Sequence, residues 1–73
     1  MTDEETRRRF GRRLEQAVLA KGYDGASFAK YSSISRFMIE RWFAGDGMPT
    51  ASVIVRLARM LGVRPDDLTG KKP

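Results

Sequence analysis

Apolar residues in the first part of the chain recur at helical spacing. Four of them stand at i, i+4, i+7 and i+8 and so share one face of a helix: Phe10, Leu14, Ala17 and Val18. The residues before them, 2–5, have the form of a capping box with Thr2 as N-cap. Gly22 suits the position just after a helix end. The pattern predicts a first helix from about Asp3 to Lys21.

Short polar residues and glycines divide the rest of the chain into further helices. Asp24 is a good N-cap for a short second helix that ends at Ser32-Ser33, and Ser35 for a third helix through Ala44. Residues 45–49 contain two glycines and a proline, which indicates a loop.

A fourth helix begins after Thr50, the expected N-cap, and ends at Gly62. It carries apolar residues at i, i+3, i+4 and i+7: Ile54, Leu57, Ala58 and Leu61. Pro65 suits a first helical position and predicts one last turn to Leu68. The chain shows no strand pattern, so we predict an all-α fold: a compact bundle of four helices plus a short fifth. We expect the domain to cover residues 1–68 and residues 69–73 to form a flexible tail.

Composition narrows the possible functions. The 73 residues include no cysteine and no histidine, which removes disulfides, thiolate zinc sites and the commonest general base. We therefore expect no enzyme, no metal site and no cofactor. The net charge of +5 favours a polyanionic partner, either nucleic acid or an acidic membrane surface. No apolar run approaches the length of a membrane span, the N-terminus does not resemble a signal peptide, and we expect a cytoplasmic protein.

The two short central helices carry a family resemblance. Residues 28–42, FAKYSSISRFMIERW, resemble the helix-turn-helix of the Cro and repressor type, the XRE family of phage and bacterial regulators. The similarity continues through Met48-Pro49-Thr50, the Leu57-Ala58 and Leu61-Gly62-Val63 pattern, and residues 65–68, and covers roughly residues 10–68. It implies a lambda-repressor-like DNA-binding domain whose helices 2 and 3 form the helix-turn-helix.

Several positions depart from the family pattern. Ser33 stands where the family usually has a glycine with a positive φ angle, which costs a serine about 1 kcal/mol. Gly25 and Ala26 replace a glutamine that grips phosphate at the start of helix 2. Val18 and Phe43 stand where the family often has an ion pair. The loop after helix 3 is commonly basic in the family, whereas Asp46 makes it acidic in this chain.

The resemblance implies that helix 3 enters the major groove of DNA. On a helical projection, Ser35, Ile39, Trp42 and Phe43 point inward, whereas Phe37, Glu40, Arg41 and Ala44 point outward. Arg36 and Arg41 are the expected base readers, since a guanidinium matches O6 and N7 of guanine. Phe37 suits a thymine methyl group, and Trp42 suits the core. The remaining expected contacts, mostly to the DNA backbone, complete the interface: Ser27, Lys30, Ser35, Glu40 and Thr50.

Several of these predicted DNA contacts have a structural alternative. Arg36 can pair with Glu40, and Phe37 can fold onto Met38 or Arg41. The basic run Arg7-Arg8-Arg9 with Arg12-Arg13 suits phosphate, but we favour a solvated helix face with Glu4–Arg8 and Glu5–Arg9 pairs. Arg56 and Arg59 are expected on the outer face of helix 4, away from DNA.

The resemblance implies a sequence-specific transcriptional regulator, a Cro-like repressor that binds a palindromic operator in a bacterial or phage-infected cell. It implies a homodimer on DNA, paired through residues 63–68 and monomeric or weakly dimeric when free. Two alternatives remain open. One is a protein-binding module, an antitoxin or anti-repressor that uses an exposed Phe37-Met38 patch; the other is an architectural or recombination DNA-binding factor. Helix 3 has no asparagine or glutamine, so guanine contacts with methyl and shape readout are expected.

Overall fold

Five helices follow one another in the computed structural model, which describes residues 3–70. They are α1 (Glu4–Ala20), α2 (Gly25–Ser32), α3 (Arg36–Ala44), α4 (Ala51–Leu61) and α5 (Pro65–Thr69). No strand occurs within residues 3–70. The prediction of an all-α bundle with a short fifth helix is confirmed. The last helix runs one residue past Leu68, and residues 71–73 of the expected tail lie outside the described residues.

The helix starts test the predicted caps. The side chains of Asp24 and Ser35 accept hydrogen bonds from the backbone N–H groups of Ser27 and Met38, so both predictions are confirmed. Thr50 holds the N-cap position of α4, but its hydroxyl makes no capping hydrogen bond and lies 3.2 Å from the Ser52 hydroxyl.

The N-cap of α1 differs from the prediction. Thr2 lies outside the described residues, and Asp3 is the N-cap, because its carboxylate accepts from the backbone N–H of Thr6 at 2.8 Å. A carboxylate caps a helix well because its charge also faces the positive end of the helix dipole. The hydrogen bonds from the backbone and side chain of Thr6 lower the pKa of Asp3.

All five helices contribute to one core. α1 packs against α3 and α5, α2 packs against α3, and α4 packs against α5. The buried apolar side chains belong to the predicted helix faces: Phe10, Leu14, Val18, Phe28, Ile39, Trp42, Ile54, Leu57, Ala58, Leu61 and Leu68. Trp42 is buried, as predicted, and Phe43 packs against the core from its edge. This core holds α3 in place and leaves its opposite face outside.

α1 crosses α3 at Gly11, a residue that the sequence pattern did not single out. A Cβ atom on Gly11 would overlap the backbone oxygen of Trp42 and lie 2.8 Å from that of Phe43. Both neighbours are backbone atoms, which cannot move aside as a side chain can. The contact therefore requires glycine in the middle of α1, despite the weak helix propensity of that residue.

Ser33 occupies the turn between α2 and α3 with φ +61°, in the left-handed region expected there. Among residues 3–70 it is the one residue other than glycine with a positive φ. Next to it, the buried Ser32 hydroxyl accepts from the backbone N–H of Ile34 at 3.2 Å and lies 3.4 Å from the Ala29 oxygen. These bonds fix the turn although it lacks glycine.

We expect Ser33→Gly to stabilise the protein by about 0.5–1 kcal/mol. Glycine relieves the strain of the left-handed conformation, and its greater loss of conformational freedom on folding offsets part of that gain. Thermal unfolding should show a midpoint about 2–8 °C above that of the wild type. Ser52→Gly is a control, because Ser52 lies in α4 and glycine within a helix lowers the stability. A Ser33→Gly protein no more stable than the wild type would contradict a strained turn.

Candidate nucleic-acid interface

α2, the Ser33 turn and α3 form a helix-turn-helix whose outer surface is the exposed side of α3. Four charged or aromatic side chains are exposed along that side, in agreement with the projection: Arg36, Phe37, Glu40 and Arg41. Ser35, predicted to point inward, is exposed instead. The projection treated Ser35 as helical, whereas it precedes the helix with an extended backbone and turns its hydroxyl to the Met38 N–H.

Among residues 3–70, Phe37 is the most exposed of the large apolar side chains, with 70% of its surface accessible. The guanidinium carbon of Arg41 lies over its ring, 6.0 Å from the ring centre. Met38 is half-buried and packs against the core, so it does not extend an exposed patch with Phe37. The apolar surface on α3 is therefore one ring beside one guanidinium.

Arg41 is held by the loop that follows α3. Its Nη2 donates to the backbone oxygen of Asp46 at 3.2 Å. Asp46 thus contributes a carbonyl oxygen to the interface as well as its acidic side chain. A guanidinium has five N–H donors in a planar fork, so this bond orients the group and leaves donors for a partner. The geometry suits recognition of a guanine edge or a phosphate.

Arg36 pairs with Glu40 at 3.5 Å, the helical pair foreseen as the alternative to base contact. Both side chains are more than half exposed, and such pairs contribute about 0.3–0.5 kcal/mol. The Glu40 carboxylate also lies close to the start of α2, since a Cβ atom on Gly25 would stand 2.5 Å from its Oε2. A carboxylate thus occupies the side of α2 where its backbone N–H groups attract anions.

The start of α2 is closed by its own side chains. The Ser27 hydroxyl accepts from the backbone N–H of Asp24 at 2.9 Å, while Asp24 accepts from Ser27 N–H at 2.8 Å. Two hydrogen bonds from Ser27 lower the pKa of Asp24; the one from the backbone N–H has the larger effect and the one from the side chain the smaller. Ser27 therefore caps α2 in addition to facing solvent. Lys30 and Thr50, the other expected backbone contacts, are exposed.

Arg56 connects α4 to the helix-turn-helix. Its Nη2 donates to the backbone oxygen of Ser32 at 2.8 Å, at the C-terminal end of α2, where cations are favoured. Arg56 is exposed, as predicted, but sequence reasoning missed this role. The contact depends on how close Arg56 of α4 comes to the end of α2 in space, which the sequence pattern alone does not show.

Three arginines in the basic run of α1 bind backbone oxygens of other segments, a role that is neither phosphate contact nor that of a purely solvated helix face. Arg9 Nε donates to the Thr69 oxygen at 3.1 Å, and Arg13 Nη1 to the Asp67 oxygen at 3.2 Å. Arg7 Nε donates to the Gly45 oxygen at 3.4 Å. The expected Glu4–Arg8 pair is formed. The expected Glu5–Arg9 pair is not formed among residues 3–70, because the Arg9 guanidinium donates to α5 instead. These contacts place three arginines on backbone oxygens at helix or loop ends.

No helix within residues 3–70 is long and apolar enough to cross a membrane.

Comparison with known protein families adds to the geometry of the helix-turn-helix. A family model described as "Helix-turn-helix" matches residues 14–68, which include the C-terminal part of α1, all of α2, α3 and α4, and α5 up to Leu68. No curated protein and no solved structure matches the chain.

Proposed function

We propose that this chain, which belongs to the helix-turn-helix family in its Cro/CI-type XRE branch, is a sequence-specific repressor. It is a regulator that binds double-stranded DNA. The family is a DNA-binding, non-enzymatic type of domain. The observation that carries the proposal is the solvent-facing side of α3, where Arg36, Phe37 and Arg41 are exposed and the Arg41 guanidinium lies over the Phe37 ring. We propose that this side enters the major groove and reads bases.

The remaining proposed contacts are to the DNA backbone. Lys30 supplies charge, Ser35 and Thr50 supply hydroxyl groups, and Ser27 lies at the start of α2. We propose a homodimer on a palindromic operator, with half-sites about 34 Å apart, paired through residues 63–68. Repression would follow from occlusion of a promoter in a bacterial or phage-infected cell. We propose that residues 1–68 form the DNA-binding domain.

The first test is a selection of random duplexes on the purified protein at near-physiological salt. Enrichment of a palindrome with guanines in each half supports a dimeric base reader. A salt titration on the enriched duplex separates DNA binding from an apolar protein contact, since log affinity falls with log salt by about 0.9 per phosphate contacted. Weak, uniform binding to every sequence would overturn the repressor assignment.

Glu40→Gln tests the electrostatics of the interface. The variant removes a negative charge beside the start of α2 and releases Arg36, so we expect tighter binding to random duplex DNA by about 0.3–1 kcal/mol. That is a two- to fivefold change in a fluorescence titration. Glu15→Gln, on the exposed surface of α1, makes the same charge change. Equal gains from both variants would show that net charge, rather than the position of Glu40, sets the affinity.

A further inference from the structure

Phe37 and Arg41 form one composite surface on α3. The ring is 70% exposed, and the guanidinium lies 6.0 Å from its centre. The bond from Arg41 Nη2 to the Asp46 oxygen holds the guanidinium from the loop side. An apolar ring and the planar donor fork of a guanidinium are therefore presented side by side on α3.

The spacing limits which bases these two groups can touch together. Successive base pairs are about 3.4 Å apart along the duplex, so 6.0 Å is less than two steps. The two side chains must then contact the same base pair or adjacent ones. The apolar feature of the major groove is the C5-methyl group of a pyrimidine, and the guanidinium favours O6 and N7 of guanine.

We propose that the ligand feature recognised by this pair is a guanine with a 5-methylpyrimidine in the same or the adjacent base pair. This inference rests on the proposed function and deepens it. The methyl group, rather than the rest of the base, is what the ring contacts. Thymine and 5-methylcytosine are thus equivalent for Phe37, and uracil and cytosine are both poorer. Methylation of cytosine next to a read guanine therefore strengthens binding.

The test uses the duplex enriched in the selection and varies one base beside the guanine whose change weakens binding most. Thymine is compared with uracil, and cytosine with 5-methylcytosine, so that each pair differs by the methyl group alone. Burial of one such group is worth about fourfold in affinity. We expect about fourfold weaker binding for uracil than for thymine, and about fourfold tighter binding for 5-methylcytosine than for cytosine.

Variants assign the effect to the ring. Phe37→Ala should bring both methyl ratios close to one, and it should leave thermal stability unchanged because the side chain is exposed. Leu19→Ala is the matched control, since Leu19 is an exposed apolar residue of α1, and it should keep both ratios. Specific binding with equal affinity for the methylated and unmethylated bases would overturn the methyl inference alone. An enriched site without a methylpyrimidine beside its guanines would do the same, whereas absence of any enriched sequence would overturn the proposed function as well.

Discussion

Gly11→Ala should lower the free energy of unfolding by about 3 kcal/mol or more. The added methyl group would overlap the Trp42 oxygen and crowd that of Phe43, so α1 and α3 must separate. Overpacking of a well-packed core typically costs about 1–3 kcal/mol, and here the obstacles are backbone atoms that cannot change rotamer. A chain of 73 residues has a total stability of about 4–11 kcal/mol, so the loss is a large part of it.

Thermal and urea unfolding measure this effect directly. The unfolding midpoint should fall by about 12 °C or more, at 4–8 °C per kcal/mol for a domain of this size. Gly47→Ala is the matched control, because a Cβ atom there lies 3.6 Å from its nearest neighbour, an ordinary contact. Its stability should stay within about 0.5 kcal/mol of the wild type. A Gly11→Ala protein within 1 kcal/mol of the wild type would mean that the helices do not cross so closely.

The second large effect is on DNA recognition. Arg41→Ala should cost about 1–3 kcal/mol of binding to the enriched duplex, a factor of about 5–150, while binding to random duplexes changes little. The reason is that the guanidinium, oriented by Asp46, offers a planar donor fork to a guanine edge. Competition titrations with specific and random duplexes at one salt concentration measure both affinities.

Two variants accompany Arg41→Ala. Arg41→Lys keeps the charge but loses the fork, so it should lose specificity like the alanine variant and retain binding to random DNA. Arg59→Ala, on the exposed face of α4, removes the same charge away from α3 and should preserve the ratio of specific to random affinity. Equal losses on both kinds of DNA from Arg41→Ala would identify Arg41 as a phosphate anchor rather than a base reader.

Much of the fold follows from local chemistry that the sequence displays. Asp24 and Ser35 cap the helices that they precede, and Gly45 and Gly62 end α3 and α4 in the left-handed conformation. Short-range hydrogen bonds and backbone preferences decide such positions, so a single sequence suffices to find them. The side of α3 that faces outward follows in the same way from helical periodicity.

Long-range contacts escaped the same reasoning. No residue near Gly11 in the sequence indicates that this position must be glycine. The requirement comes from the closeness of α3 in space. Arg9 and Arg13 look like any exposed basic pair on a helix until α5 brings its carbonyl oxygens to them. Ser35 differs from the prediction for another reason: it precedes α3 with an extended backbone, so helical periodicity does not determine where its side chain points.

The arginine contacts between α1 and α5 also bear on the connectivity of the chain. The bond from Arg9 to Thr69 joins residues 60 positions apart, and Arg13 to Asp67 joins residues 54 apart. The first and last helices are thus in direct contact, so that a peptide linker from the end of α5 to the start of α1 could join them. A circular permutant opened at the loop after α3, near Asp46, would keep every helix intact and retain the α1–α5 closure as a local contact. Because loop closure limits the folding rate of small domains, that rearranged chain should fold faster than the original order of helices.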